Sequence, residues 1–171
     1  MPPIITPRLR LREFTIDDAQ LVLDLLNDPD FIRFVADKGV RTLDDAVRYL
    51  TEGPLTSYAD NGFGLWCVER LDNDEGIGMC GLIRRPDMPW EDVGYNFLPA
   101  GRGQGFAREA AAACVQFGLS GLGLQRVVAF IDPGNIASAR VLEAAGLRFC
   151  GPFDFPGASG PTHLYSTHPE N

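Results

Sequence analysis

Residues 93–107 constrain the fold more than any other part of the chain. Val93-Gly94-Tyr95-Asn96-Phe97-Leu98-Pro99 reads as a strand, Gly101-Arg102-Gly103-Gln104-Gly105 as a glycine-rich turn, and Phe106-Ala107 as the opening of a helix. The helical segment, read over 107–117, is rich in alanine and holds no proline or glycine. The first N–H groups of a helix have no intrahelical acceptor, and the aligned peptide dipoles add partial positive charge there. Glycines remove side chains that would hold a ligand away from that backbone. A strand feeding such a turn is a candidate cradle for phosphate or diphosphate. The ordinary reading is a tight turn before a helix.

Two familiar phosphate cradles fail on spacing. A P-loop needs lysine and then Ser or Thr after its last glycine, where this chain has Phe106 and Ala107. The dinucleotide pattern G-x-G-x-x-G, counted from Gly101, meets Gln104 and Gly105 out of phase; counted from Gly103 it ends on Arg108. It also needs a strand with an acidic end soon after the helix, which 126–131 fits poorly. A nucleotide-dependent oxidoreductase is therefore disfavoured.

Periodicity supplies the surrounding elements. Leu9 and Leu11 alternate with Arg8, Arg10 and Arg12, the pattern of a half-buried strand. Thr15 with Asp18, and Thr42 with Asp45, cap two helices with apolar faces at Ala19, Leu21, Val22, Leu25, Leu26 and at Ala46, Val47, Leu50. Asp28-Pro29 ends the first helix, and 31–41 is ambiguous between helix and loop. Strands are read at 63–71 and 77–84 around the turn Asp72-Asn73-Asp74-Glu75-Gly76. Further on come a strand at 126–131, a short helix at 136–145, and strands at 147–153 and 162–166. This order predicts an α/β or α+β fold, a mixed sheet with helices on its faces, in one domain spanning 1–171.

Charge and cysteines narrow the function. The net charge of −8, from 15 basic and 23 acidic residues, argues against direct nucleic-acid binding. It suits a cationic amine or basic peptide as substrate, or acidity that simply favours solubility. The cysteines at 67, 80, 114 and 150 form no C-x-x-C pair, so reduced thiols and no metal site are expected. The start Met-Pro-Pro-Ile-Ile lacks a basic region followed by an apolar run, and no apolar stretch is long enough to span a bilayer. A cytoplasmic location and no membrane partner are the corresponding expectations. Oligomeric state is not legible, and a homodimer stays open.

Arg102-x-x-Gly105-x-Ala107 resembles the Q/R-x-x-G-x-G/A signature of the GCN5-related N-acetyltransferases, whose loop holds the diphosphate of acetyl-CoA. The setting resembles the family too. Asp92–Pro99 looks like its fourth strand, and 126–149 like its fifth strand and following helix. Thr6-Pro7-Arg8-Leu9-Arg10-Leu11-Arg12 and His163-Leu164-Tyr165-Ser166 match the branch typified by ribosomal-protein N-terminal acetyltransferases. The resemblance implies that fold, with about six to seven strands, a splayed parallel pair and about four flanking helices. It implies acetyl-CoA as cosubstrate, no metal, and transfer to a primary amine of a protein N-terminus or small molecule. Direct attack in a ternary complex is implied, without an acyl-enzyme. The alternative is a non-catalytic acyl-CoA-binding sensor or interaction module.

Site residues carry over by position. Arg102, Gly103, Gln104, Gly105, Phe106 and Ala107 form the implied diphosphate loop, with Arg108 a further cation. The backbones of Phe97 and Leu98 would pair with the pantetheine arm, and one N–H would polarise the thioester carbonyl. Asp92 stands where relatives carry a glutamate that takes the amine proton; Glu91 should point to the opposite face. Asn135 and Ser138 share one helix face. Asn135 is implied to touch the cofactor arm, or simply caps the helix. Ser138 is implied beside the sulfur, a substitute for the tyrosine acid that many relatives carry where this chain has Leu142. Trp66 and Trp90 are read as packing residues or as walls of a substrate pocket, and His163 and His168 as surface residues.

Overall fold

Alternation along the first long strand sets the sheet between two helical layers. In the computed structural model, which describes residues 1–169, Leu9 and Leu11 of β2 (Leu9–Arg12) are fully buried on one face. Arg10 and Arg12 turn to the other face, where Glu69 of β3 (Leu65–Arg70) accepts from both, at 3.1 and 2.6 Å. Arg10 lies opposite Glu69 in the ladder, so this ion pair fixes the register that the leucines favour.

The sheet has eight strands in the order β1-β2-β3-β4-β5-β6-β8-β7. The remaining strands are β1 (Ile4–Ile5), β4 (Gly76–Ile83), β5 (Glu91–Phe97), β6 (Val127–Ile131), β7 (Arg148–Phe153) and β8 (Thr162–Ser166). The two-residue β1 is the strand that periodicity misses, being too short to show alternation. Every neighbouring pair is antiparallel except β5 and β6, which run parallel and are joined by the crossover helix α5 (Phe106–Gln116). Their pairing covers only Glu91 with Val127 and Asp92 with Val128. Beyond that point the two strands separate.

One face packs α5 and α6 (Ile136–Ala144) over Trp66, Val68, Cys80, Leu82, Val93 and Phe97. The other packs α1 (Ala19–Leu26), α2 (Pro29–Phe34) and α3 (Leu43–Leu50) over Cys67 and Met79. Helix α1 stops just before Asp28-Pro29, as expected, and the ambiguous stretch after it begins as helix α2. Asp28 caps α2 through Asp30 N and Phe31 N, and Pro29 takes the first helical position, where its missing N–H costs nothing. A sixth helix, α4 (Thr56–Asn61), follows a π-helical turn at 51–55. Pro54 lies inside that turn and lacks the N–H that would reach Leu50, so the backbone widens there.

Candidate functional site

The separation of β5 and β6 opens a cavity of about 580 Å³. It is bordered by Gly94 and Tyr95 on one strand and Ala129, Phe130 and Ile131 on the other. Its far walls come from both helical layers: Asn135, Ser138 and Leu142 around α6, and Phe31, Phe34 and Tyr49 from α2 and α3. The cavity thus runs through the sheet.

The ladder shows which main-chain groups face the gap. Leu98 N donates to Ile77 O at 2.9 Å, so even-numbered residues of β5 bond to β4 and odd-numbered ones face β6. Past Asp92 there is no strand opposite, and the main-chain groups of Tyr95 and Phe97 open into the split. Phe97 O is already taken by Arg102 Nε at 2.9 Å. Leu98 corrects the sequence reading. Its N–H is spent on Ile77, and its carbonyl accepts from Gly101 N at 2.8 Å, so it offers no free main-chain pair to a ligand.

At the end of β5 the glycine loop turns into α5. Gly103 and Gly105 have φ of +72° and +81°, left-handed conformations that side chains disfavour. Gly105 is the N-cap. The N–H groups of residues 103–108 have no acceptor among the described residues, the first bonded one being Glu109 N to Gly105 O at 3.0 Å. A cluster fastens this loop from below. Glu109 accepts from Thr6 Oγ1 at 2.6 Å and from Arg8 N and Nε at 2.9 and 2.7 Å. Arg8 Nη1 also donates to Gln104 O at 2.8 Å, and its guanidinium lies over the buried Phe106 ring at 4.5 Å. Gln104 returns Nε2 to Ala100 O at 2.9 Å, and Ala107 is half-buried.

Arg102 departs from the expected role of phosphate partner. Its guanidinium is spent on Asp28 at 2.6 Å, Asp30 at 3.3 Å and Phe97 O. Arg108 is exposed and holds no ion pair or hydrogen bond among the described residues, which leaves it the cation near the loop with its charge unspent.

Asp92, Asn135 and Ser138 all border the cavity; Phe97, Leu98 and residues 102–107 lie outside it. Asp92 is 4% exposed and accepts from Arg85 Nε at 2.8 Å and Nη2 at 3.2 Å. Burial pushes its carboxyl up and Arg85 pulls it down; burial wins, and the group sits above the usual carboxylate range. Glu91 faces the other way and pairs with Arg84. Asn135 caps α6 through Ser138 N at 3.1 Å, and its Nδ2 has no acceptor among the described residues. Leu142 is fully buried against the cavity.

Sequence reasoning passed over Tyr95. Its hydroxyl donates to Ser138, 3.1 Å from both Oγ and the carbonyl oxygen. The available signal was a polar-tipped ring in a strand otherwise set to be buried, since such a hydroxyl needs a partner. Trp66 packs edge-on against Phe117 in the core, and His163 lies against Phe149 with the rings tilted by 55°; neither borders the cavity. Among the described residues no three His, Cys, Asp or Glu side chains gather as a metal site.

The acetyltransferase (GNAT) domain model matches residues 8–148. Two relatives come from Bacillus subtilis. The uncharacterized protein YkkB is 32% identical, covering 85% of each chain, and the uncharacterized N-acetyltransferase YnaD is 31% identical, covering 85% of this chain and 82% of its own. Among solved structures, the ribosomal L7/L12 α-N-protein acetyltransferase RimL, in complex with coenzyme A, superposes with a TM-score of 0.81 over 96% of each chain at 15% identity. That last likeness is one of fold.

Proposed function

This chain belongs to the GNAT acetyltransferase family, and on that premise we propose that it carries the acetyl group of acetyl-CoA to a primary amine by direct attack in a ternary complex. The acceptor is the α-amine of a protein N-terminus or a small-molecule amine. The observation that carries this reading is the cavity through the β5–β6 split, with a buried carboxylate on one face of β5 and a hydroxyl pair on the other. Asp92 and Tyr95 differ by three along a strand, so they point to opposite faces. The carboxylate and the hydroxyl pair can therefore serve different substituents of one tetrahedral carbon, the nitrogen and the sulfur.

The residues at the loop fit the nucleotide end of the donor. Six unspent N–H groups at a helix start, beside Arg108, suit a diphosphate. Tyr95 and Phe97 present main-chain donors to the arm, and one of these is suited to polarise the carbonyl. Bound acetyl-CoA supplies the activated acyl group. Asp92 takes the proton of the amine, directly or through water, as a carboxylate raised above its usual range is equipped to do. Asn135 Nδ2 contacts the arm, and Ser138 stands beside the sulfur. Holding both reactants in one cleft is worth roughly 7–11 kcal/mol in favourable cases.

Phe31, Phe34 and Tyr49 form an apolar collar at the α2–α3 end of the cavity, whose charged lining is mixed: Glu52, Asp60 and Asp92 beside Lys38, Arg84 and Arg85. The test is incubation with acetyl-CoA and a panel of primary amines and N-terminal peptides, reading free thiol and product mass. Amine-dependent thiol release with an acetylated amine is expected. Tight CoA binding with no turnover across the panel would favour the acyl-CoA sensor.

A further inference from the structure

We propose that Tyr95 is a positioning residue of the transfer: by donating to Ser138 it fixes the serine so that the serine's own hydroxyl hydrogen is aimed at the thioester sulfur. This rests on the reading above, in which Ser138 stands beside that sulfur. A serine hydroxyl has one hydrogen to give and two lone pairs to receive. The single hydroxyl hydrogen of Tyr95 lies between Ser138 Oγ and the Ser138 carbonyl oxygen, each 3.1 Å away, and the serine's own hydrogen has no other acceptor among the described residues. Its backbone N–H is held by Asn135 at 3.1 Å, so the residue is pinned from two sides. Leu142, fully buried on the same helix, has no donor to offer.

Tyr95 works as a neutral donor and not as the acid. Burial drives its hydroxyl well above the usual tyrosine range; the bond to Ser138 offsets this in part, while Cys80 and Tyr165 add to it. A thiol is by nature a stronger acid than a phenol. A proton would therefore not pass from this tyrosine to a thiolate. As the nitrogen bonds to the acetyl carbon, the C–S bond breaks and its electron pair goes to sulfur. Both hydroxyls keep their protons and stabilise that charge by hydrogen bonding, Ser138 directly and Tyr95 through it. The proton of the amine leaves on the Asp92 side, and the thiolate collects its proton from water.

Tyr95→Phe, Ser138→Ala and the double variant test this. The expected result is a fall in kcat of about tenfold for each single variant, the size of one hydrogen bond to a charged group, with KM for acetyl-CoA within about twofold. The double variant should be no worse than either single one, because both remove the same contact. A second readout needs no acceptor: the thiol of bound CoA, followed by thiolate absorbance against pH, should ionise about one pH unit higher in Tyr95→Phe than in the wild type. Wild-type kcat and an unshifted thiol titration in Tyr95→Phe would overturn the proposal. So would additive losses in the double variant, or a loss of CoA affinity equal to the loss of kcat, the mark of a merely structural role. If no amine is turned over, the transfer reading fails separately, and the thiol titration still decides the role of Tyr95.

Discussion

The guanidinium of Arg102 donates to Oδ1 of Asp28 at 2.6 Å, and that same oxygen caps α2 through Asp30 N and Phe31 N. The loop at the start of α5 is thereby tied to the helix that carries Phe31 and Phe34 into the cavity. One nearly buried carboxylate thus joins the glycine loop to the α2 wall of the cavity.

Asp28→Ala removes the cap and leaves Arg102 without its main partner. A loss of stability of about 2 kcal/mol is expected, near 1 from the cap and the rest from the charged hydrogen bond. Urea unfolding measures it. A change under about 0.5 kcal/mol would mean that Asp28 does not hold loop and helix together.

The pair Asp92–Arg85 makes a pH prediction. Asp92 must be ionised to take a proton, so its titration sets the acid limb of kcat/KM. Burial raises that carboxyl and Arg85 lowers it. Arg85→Gln therefore moves the acid limb to higher pH, and Asp92→Asn lowers turnover far more than CoA affinity. A pH–rate profile shows both. An acid limb that stays in place in Arg85→Gln would remove Asp92 from the role of base.

Glu109 links acidity to stability. Burial raises its carboxyl, but bonds from Thr6 and from the side chain and backbone of Arg8 outweigh this, so it titrates below the usual glutamate range. Its folded pKa is depressed, so its stabilisation is present above the unfolded glutamate pKa and lost as pH falls through the folded one. Glu109→Gln should cost about 1 kcal/mol at neutral pH, and the gap to the wild type should close in acid. Thermal melts at a series of pH values check this, and a gap independent of pH would contradict it.

What the sequence made legible is what is written locally. The strand, glycine turn and helix at 91–116 follow from neighbouring residues, as do the caps at Thr42 and Asn135. What it hid lies between distant segments. Arg102 resembles a phosphate ligand until its partner 74 residues away is seen. Tyr95 looks like core until Ser138, 43 residues on, meets its hydroxyl. Helix α2 is short, and Pro29 reads as a stop unless the capping bonds of Asp28 are known. The parity of Leu98 is hidden too, because it depends on a bond to Ile77, in another strand.

The central claim is that the free N–H groups of residues 103–108 grip the diphosphate of CoA. Calorimetric titration of CoA into the wild type and into Gly105→Glu tests it most directly. Gly105 lies at the surface of the loop, and the nearest neighbour to an added Cβ is the flexible end of Arg8 at 3.3 Å, but its φ of +81° strains any side chain by about 1–2 kcal/mol, so Gly105→Ala, which carries the strain without the carboxylate, is the control. The account predicts a loss of CoA affinity of at least about a hundredfold, near 2.7 kcal/mol, from a carboxylate set among those donors. CoA binding to a folded Gly105→Glu as tightly as to the wild type would contradict it.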